Sequence, residues 1–231
     1  MQRKKSVNNS MTVRLEDLLQ FDPLTLNQEQ AFKSWADGDN LVLTGTAGTG
    51  KTFLALYLAL EEMLDNNTEY EKILLVRSMV PTREMGFLPG DKEAKEDVFL
   101  SPYKGICCEL FGDKSSYSKM VSAGQLKFES TSYIRGTTFD NSILIVDEMQ
   151  NLNFHELDSV ITRVGRHSKI IFSGDYKQSD FKYDDDKQGI IKFLQIVEQL
   201  KNFTIINFGW EDIVRSDFVR DYIMTKEMLG Y

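Results

Sequence analysis

Eight residues carry the most specific chemistry in the chain: Gly45-Thr46-Ala47-Gly48-Thr49-Gly50-Lys51-Thr52 match the spacing GxxxxGK[ST]. Glycines at this spacing let the backbone curl until consecutive N–H groups point inward. The start of a following helix adds partial positive charge, and together they make a cradle for polyphosphate. In such a loop Lys51 reaches the β and γ phosphates and the Thr52 hydroxyl binds Mg²⁺, with Phe53 next to them in the nucleotide-contacting set. A second pair, Asp147-Glu148, directly follows the apolar run Ile143-Leu-Ile-Val146. This reads as a Walker B element: Asp147 holds Mg²⁺ through water, and Glu148 orients or deprotonates the attacking water. The second carboxylate points to ATP hydrolysis and against a small-molecule kinase, which has less need to activate water. A third run ends in Ser173-Gly174-Asp175-Tyr176-Lys177-Gln178, where Gln178 is a candidate γ-phosphate sensor or water-positioner. No Asn-Lys-x-Asp element of the kind that reads guanine occurs, so adenine is the expected base. Leu26-Asn27-Gln28-Glu29-Gln30, about fifteen residues upstream of the loop, supplies glutamine amides that offer both a donor and an acceptor to an adenine edge.

These groups need rigid elements beneath them. Residues 41 to 60, LVLTGTAGTGKTFLALYLAL, are long and apolar enough to suggest a membrane span, but Lys51 at the midpoint would cost about 2.5 kcal/mol or more in a bilayer. The three glycines also break any single helix, leaving a short strand, a glycine loop and a helix from about Thr52 to Leu64. Four later runs read as buried strands: 73–77, 143–146, 169–173 and 203–208. Helical stretches at 154–164, 187–201 and 211–229 separate or follow the last three, and helical patterns are expected around Leu15, Leu18 and Leu19 and again from Gln28 to Trp35. Continuous apolar strands alternating with helices predict an α/β fold, a mostly parallel, doubly wound sheet with helices on both faces. Ligands of such sheets bind outside the carboxyl ends of the strands, which is where the polar clusters fall. Residues 79–125, with Pro81, Pro89, Pro102 and many charges, break the rhythm and read as an insertion or long loop at the sheet edge.

The chain has 231 residues, 42% of them hydrophobic, enough for one sizeable core, so 14–231 is expected to form a single domain behind a flexible basic arm at 1–13. The arm is followed by no apolar stretch of the secretory type, which leads to an expected cytoplasmic location without membrane attachment. A net charge of −8 argues against a protein that coats nucleic acid electrostatically, so any such contact must be local. Adjacent Cys107 and Cys108 lack the spacing of a disulfide framework or a zinc site and read as structural, as do His155 and His167. Asp184-Asp185-Asp186 reads as a solvated loop.

Taken in order, GTAGTGKT, RSMV and GFLPGD (77–91), YIRGTTF (133–139), ILIVDEMQN (143–151), TRVG (162–165), SGDYKQSD (173–180) and DIVRSDFV (212–219) resemble the PhoH-like ATPases, relatives of superfamily-one helicases. The resemblance implies a RecA-like P-loop core, an adenine-contacting role for Gln30, places for Arg135 and Arg163 near the nucleotide or nucleic-acid face, an arginine finger at Arg215, and a hexamer. Two positions depart from the family: Arg77-Ser78 stands where Arg-Pro is usual, and Met149 where alanine is usual.

Size alone leads toward an oligomer. Helicase-type motors hydrolyse ATP between two RecA-like cores, the second supplying arginines that stabilise charge on the transferred phosphoryl group. This chain has room for one core, so such arginines, Arg215 first among them, are expected in trans from a head-to-tail neighbour in a ring. Two functions stay open. One is an ATP-driven motor on single-stranded RNA or DNA, with Arg77, Arg83 and Phe87 gripping the strand. The other is an ATP-switched assembly module acting on a protein partner.

Overall fold

Six runs of five or six residues form one sheet in which every pairing is parallel: β1 (Asn40–Gly45), β2 (Lys72–Arg77), β3 (Leu126–Ser130), β4 (Ser142–Val146), β5 (Lys169–Gly174) and β6 (Phe203–Phe208). The computed structural model describes residues 12–78, 92–131, 134, 136–175 and 184–230. Strand order is β3-β2-β4-β5-β1-β6, so β5 lies between the strand that leads into the glycine loop and the strand that ends just before Asp147. Seven helices accompany it among the described residues: α1 (Leu26–Ala36), α2 (Lys51–Leu64), α3 (Lys92–Phe111), α4 (Ser116–Ser122), α5 (Phe154–Ile161), α6 (Asp184–Val197) and α7 (Asp217–Met228).

Successive strand residues face opposite sides of the sheet, and here both sides are covered. Leu41, Leu43, Ile73, Leu75, Ile143 and Ile145 pack under the layer that includes α1 to α4. Val42, Leu74, Val76, Leu144, Val146 and Phe172 pack against α5 and α6, through Leu157, Val160, Ile190 and Phe193. Double coverage is why these strands read as unbroken apolar runs, and the doubly wound α/β core is the fold expected from the sequence.

Four sequence expectations change. Residues 92–122, inside the span read as an insertion or long loop, form α3 and α4 instead. Phe99, Tyr103, Cys107 and Leu110 recur at helical spacing and are all buried, and that packing outweighs Pro102 and Gly105. The strand β3 that follows was not foreseen, because it lies at the sheet edge and mixes Lys127 and Glu129 with Leu126 and Phe128. Around Leu15, Leu18 and Leu19 there is only a 3-10 turn, Leu15–Asp17; Asp22 precedes Pro23, which disfavours helix, and α1 starts after Thr25. The acidic run 184–186 opens α6 rather than a loop.

At the amino end of β5, Lys169 is buried and its Nζ donates to the Trp35 carbonyl (2.9 Å) and to Glu62 Oε2 (3.0 Å), 3.6 Å above the Trp35 ring. Burial lowers the Lys169 pKa and raises that of Glu62, so each charge depends on the other for its compensation. This cluster ties α1 and α2 to β5 on the side of the sheet away from the strand ends that carry the motifs. Cys107 is buried and its thiol is pushed up to about 12, in keeping with a structural role.

Candidate nucleotide site

The site is built where β1, β4 and β5 end. β1 stops at Gly45, whose φ of +111° is closed to other residues, and a Cβ there would collide with the Phe208 carbonyl of β6. The chain then turns through Thr46 to Gly50 into α2. Thr49 Oγ1 donates to the Thr46 carbonyl (3.0 Å), which tightens the loop from inside. Gly50, with φ +81°, is the residue before α2 and gives its first turn no side-chain cap, so the helix N-terminus is left to an incoming anion. Lys51 Nζ donates to the carbonyls of Gly45 (2.8 Å) and Thr46 (2.7 Å). Burial lowers its pKa, while Asp175, Glu148, Asp147 and Glu227 act to raise it.

β4 delivers the acids. Asp147 N still donates to the Val76 carbonyl (3.0 Å), so the carboxylate emerges from the last rung of the sheet. Its Oδ1 accepts from Thr52 Oγ1 (2.9 Å) and its Oδ2 from Tyr103 Oη (2.8 Å). Glu148 adopts a left-handed backbone, φ +53°, a conformation that costs a non-glycine residue about 1–3 kcal/mol and is found at functional sites. Its carboxylate accepts a hydrogen bond from Gln150 Nε2, and Gln150 Oε1 accepts from Asp175 N (3.0 Å), joining the end of β4 to the end of β5. Burial, then the neighbouring Asp147 charge, raise the Glu148 pKa, with Arg77, Gln150 and Lys51 acting in the other direction.

A cleft of about 600 Å³ opens over these groups, lined by Phe21, Gln28, Lys51, Thr52, Glu148 and Arg215 among others. That volume suits a nucleotide-sized ligand. A wider hollow of about 940 Å³ near Arg14, Leu18 and Tyr57 contains none of the motif residues, which gather in the smaller cleft.

The cleft brings together Ala47, Gly48, Gly50, Lys51, Thr52, Phe53, Asp147, Glu148 and Arg215, with Gly45, Thr46 and Thr49 forming the loop beneath. Gln178, Arg83, Phe87 and Arg135 lie outside the described residues. Gln30 is exposed on α1 and does not line the cleft; Gln28 does. Thr25 caps α1 by accepting from Gln28 N, which places Gln28 in the first turn, where its Oε1 accepts from Leu24 N (2.8 Å) and its Nε2 donates to the Thr49 carbonyl (3.3 Å). The signal was available in the sequence, since Thr25-x-x-Gln28 has the spacing of a capping box.

Three arginine expectations also change. Arg77 is half-buried with its guanidinium 5.7 Å from the Phe99 ring; burial opposes its charge, but Tyr103, Glu148 and Asp147 together hold its pKa above the ordinary value. It faces the acids of the site rather than a strand outside. Arg163 follows α5, its carbonyl accepting from Phe139 N (2.9 Å) just before β4 starts, so it sits at the amino ends of the strands, opposite the cleft. Arg215 lines the cleft of its own chain: Val214 N donates to the Gly48 carbonyl (3.1 Å), and Arg215 Cγ lies 3.2 Å from where a Cβ on Gly48 would be. Its placement is in cis, not the expected one in trans. Tyr103 and Glu227, the latter accepting from Trp210 Nε1 (2.6 Å) beside the loop, carry no local motif because they reach the site through tertiary packing, whereas Gln150 stands in the run ILIVDEMQN, to which the sequence assigned no role at that position.

The family model for PhoH-like proteins matches residues 20–226. A PhoH-like protein of Synechocystis sp. is 34% identical over 204 residues, which cover 88% of this chain and 61% of that protein. Protein PhoH2 of Bacillus subtilis is 36% identical over 165 residues, 70% of this chain and 37% of that protein. The chain thus spans 61% and 37% of the length of these two relatives, less than two thirds of each. Among solved structures, the large terminase of a thermophilic bacteriophage superposes with a TM-score of 0.51 at 13% identity, over 90% of this chain and 50% of the terminase. The terminase likeness speaks for the fold; the sequence relatives and the family match, which runs from Gln20 through the glycine loop and both acids to Lys226, establish that this chain belongs to the PhoH-like family.

Proposed function

We propose that the chain hydrolyses ATP with Mg²⁺ and couples hydrolysis to single-stranded RNA or DNA as a helicase-like motor. The observation that carries this reading is the convergence of Lys51, Thr52, Asp147 and Glu148 on one cleft at the carboxyl ends of parallel strands. Another crystal form of the same phage terminase, described as a complex with ADP, superposes with a TM-score of 0.50 at 14% identity, which agrees with a nucleotide in this fold. Thr52 Oγ1 and Asp147 Oδ1, 2.9 Å apart, are hard oxygen donors of the kind Mg²⁺ takes, and the ion would neutralise charge on the β and γ phosphates.

In this mechanism the chain's own groups do the following. Lys51 leaves the Gly45 and Thr46 carbonyls for phosphate oxygens that outcompete them as anions. Glu148, held by Gln150, takes the proton of the attacking water. Arg215 adds positive charge at the mouth of the cleft, and Gln178 remains the proposed γ-phosphate sensor. Gln28, whose amide retains donor and acceptor capacity, takes over the adenine-reading role expected of Gln30. Gln28→Ala is expected to raise KM for ATP about tenfold, the value of one hydrogen bond, with KM for GTP unchanged. Equal KM changes for both nucleotides would remove Gln28 from base reading.

A cytoplasmic, head-to-tail hexamer belongs to the same proposal, with any arginine in trans coming from a residue other than Arg215. No helix among the described residues is long and apolar enough to cross a membrane. The alternative, an ATP-switched module for a protein partner, is favoured by the inward turn of Arg77 and by the exposed Phe218, Tyr222 and Met228 of α7. ATP turnover with and without single-stranded RNA and DNA, at low and moderate salt, separates the two. The motor predicts stimulation that fades as salt displaces phosphate contacts. Turnover indifferent to either strand would favour the protein partner.

A further inference from the structure

We propose that Tyr103 is a positioning residue for the Mg²⁺ site, holding the Asp147 carboxylate in the orientation that receives the ion, with Arg77 as its support. This rests on the ATP-binding reading above.

Tyr103 lies on α3, in a span that carries no sequence motif for a part in the site. It is fully buried, and its ring packs near Phe128, 6.4 Å between centroids. A phenylalanine would fill the same space. A buried hydroxyl costs free energy unless it is bonded, so what the position adds is the 2.8 Å bond from Tyr103 Oη to Asp147 Oδ2. Thr52 occupies the other oxygen, Oδ1, at 2.9 Å. The carboxylate is therefore pinned from two helices, α2 and α3, and cannot rotate without losing a bond.

Arg77, the last residue of β2, completes the arrangement. Its guanidinium lies 5.7 Å from the ring of Phe99, one helical turn before Tyr103 on α3, and its charge acts on Tyr103, Glu148 and Asp147. With the carboxylate as acceptor the phenol proton is directed at Asp147, and the Arg77 cation beside the pair is the charge that supports this arrangement. Groups one step removed from a metal commonly orient its ligands, and their loss costs about 10- to 100-fold in metal affinity. The usual sequence signals for a P-loop site contain no position for such a tyrosine, since it arrives on a helix that joins the site only through packing.

The test uses the full chain and N-methylanthraniloyl-ADP, followed by fluorescence in EDTA and across a Mg²⁺ titration, with melting curves as a fold control. For Tyr103→Phe we expect the EDTA affinity to stay within about twofold and the Mg²⁺ midpoint to rise about tenfold. Arg77→Lys, which keeps the charge but loses the planar fork, should shift the midpoint in the same direction by less. An unchanged midpoint in folded Tyr103→Phe overturns the proposal, and so does a loss that is equal in EDTA and Mg²⁺, which would mark a purely structural role. If Tyr103→Phe does not fold, Arg77→Lys decides by the same criteria. If the unmodified chain binds no labelled nucleotide that ATP displaces, the ATP-binding reading fails first and takes this proposal with it, an outcome distinct from a Mg²⁺ midpoint that the variants leave in place.

Discussion

Glu148→Gln should bind ATP as the unmodified chain does yet turn it over about 10²- to 10⁴-fold more slowly, the usual contribution of a general base. Glutamine keeps the shape and can still accept the bond from Gln150 Nε2, so the left-handed turn at residue 148 and the link through Gln150 to Asp175 N should survive. What is lost is the negative charge that takes a proton from water. The prediction therefore separates binding from chemistry. Labelled-nucleotide affinity and melting temperature should be unchanged while phosphate release collapses. Turnover within about threefold of the unmodified chain, far short of a general base's contribution, would show that Glu148 is not the base, and a matching loss of affinity would mean that it serves binding instead.

Lys51→Ala should lose both binding and turnover, with kcat/KM down by at least about 10²- to 10³-fold, the size seen when one positioned donor to a developing charge is removed. Lys51 is the cation at the base of the cleft, surrounded by Asp147, Glu148 and Asp175. Without it, three carboxylates would face the phosphates with no lysine between them. Its ammonium also bridges the Gly45 and Thr46 carbonyls in this state, so a small change in melting temperature is expected alongside. Phosphate release at saturating ATP, measured beside Glu148→Gln, gives the contrast: binding without turnover for the acid, neither for the lysine. Retained turnover in Lys51→Ala would place the reaction elsewhere in the molecule.

Much of the fold and the centre of the site were legible in the sequence because they depend on short-range spacing. The glycine loop needs its residues within eight positions, and the Asp147-Glu148 pair follows its strand directly, so local order carries the chemistry. The buried strands β1, β2, β4 and β5 announce themselves as apolar runs because both faces of the sheet are covered, and the half-buried edge strand β6 still shows Ile205, Ile206 and Phe208. Where the structure departs from the sequence expectation, a physical reason accounts for each case. Gln28 rather than Gln30 enters the cleft because the cap at Thr25 sets the helix phase. Proline and glycine made α3 look like a loop, although burial of Phe99, Tyr103, Cys107 and Leu110 outweighs them.

By itself, then, the sequence determined the class of fold and the residues of the glycine loop and acid pair proposed to bind nucleotide, since those rest on residue type and near-neighbour spacing. Only the tertiary structure decided which way the arginines face. Arg77 turns inward to Tyr103 and the acids, Arg163 falls at the far ends of the strands, and Arg215 docks on its own glycine loop. A long cationic side chain carries no periodic signal that reports its direction; the packing of β2 against α3, and of residues 213–215 against Gly48, sets it.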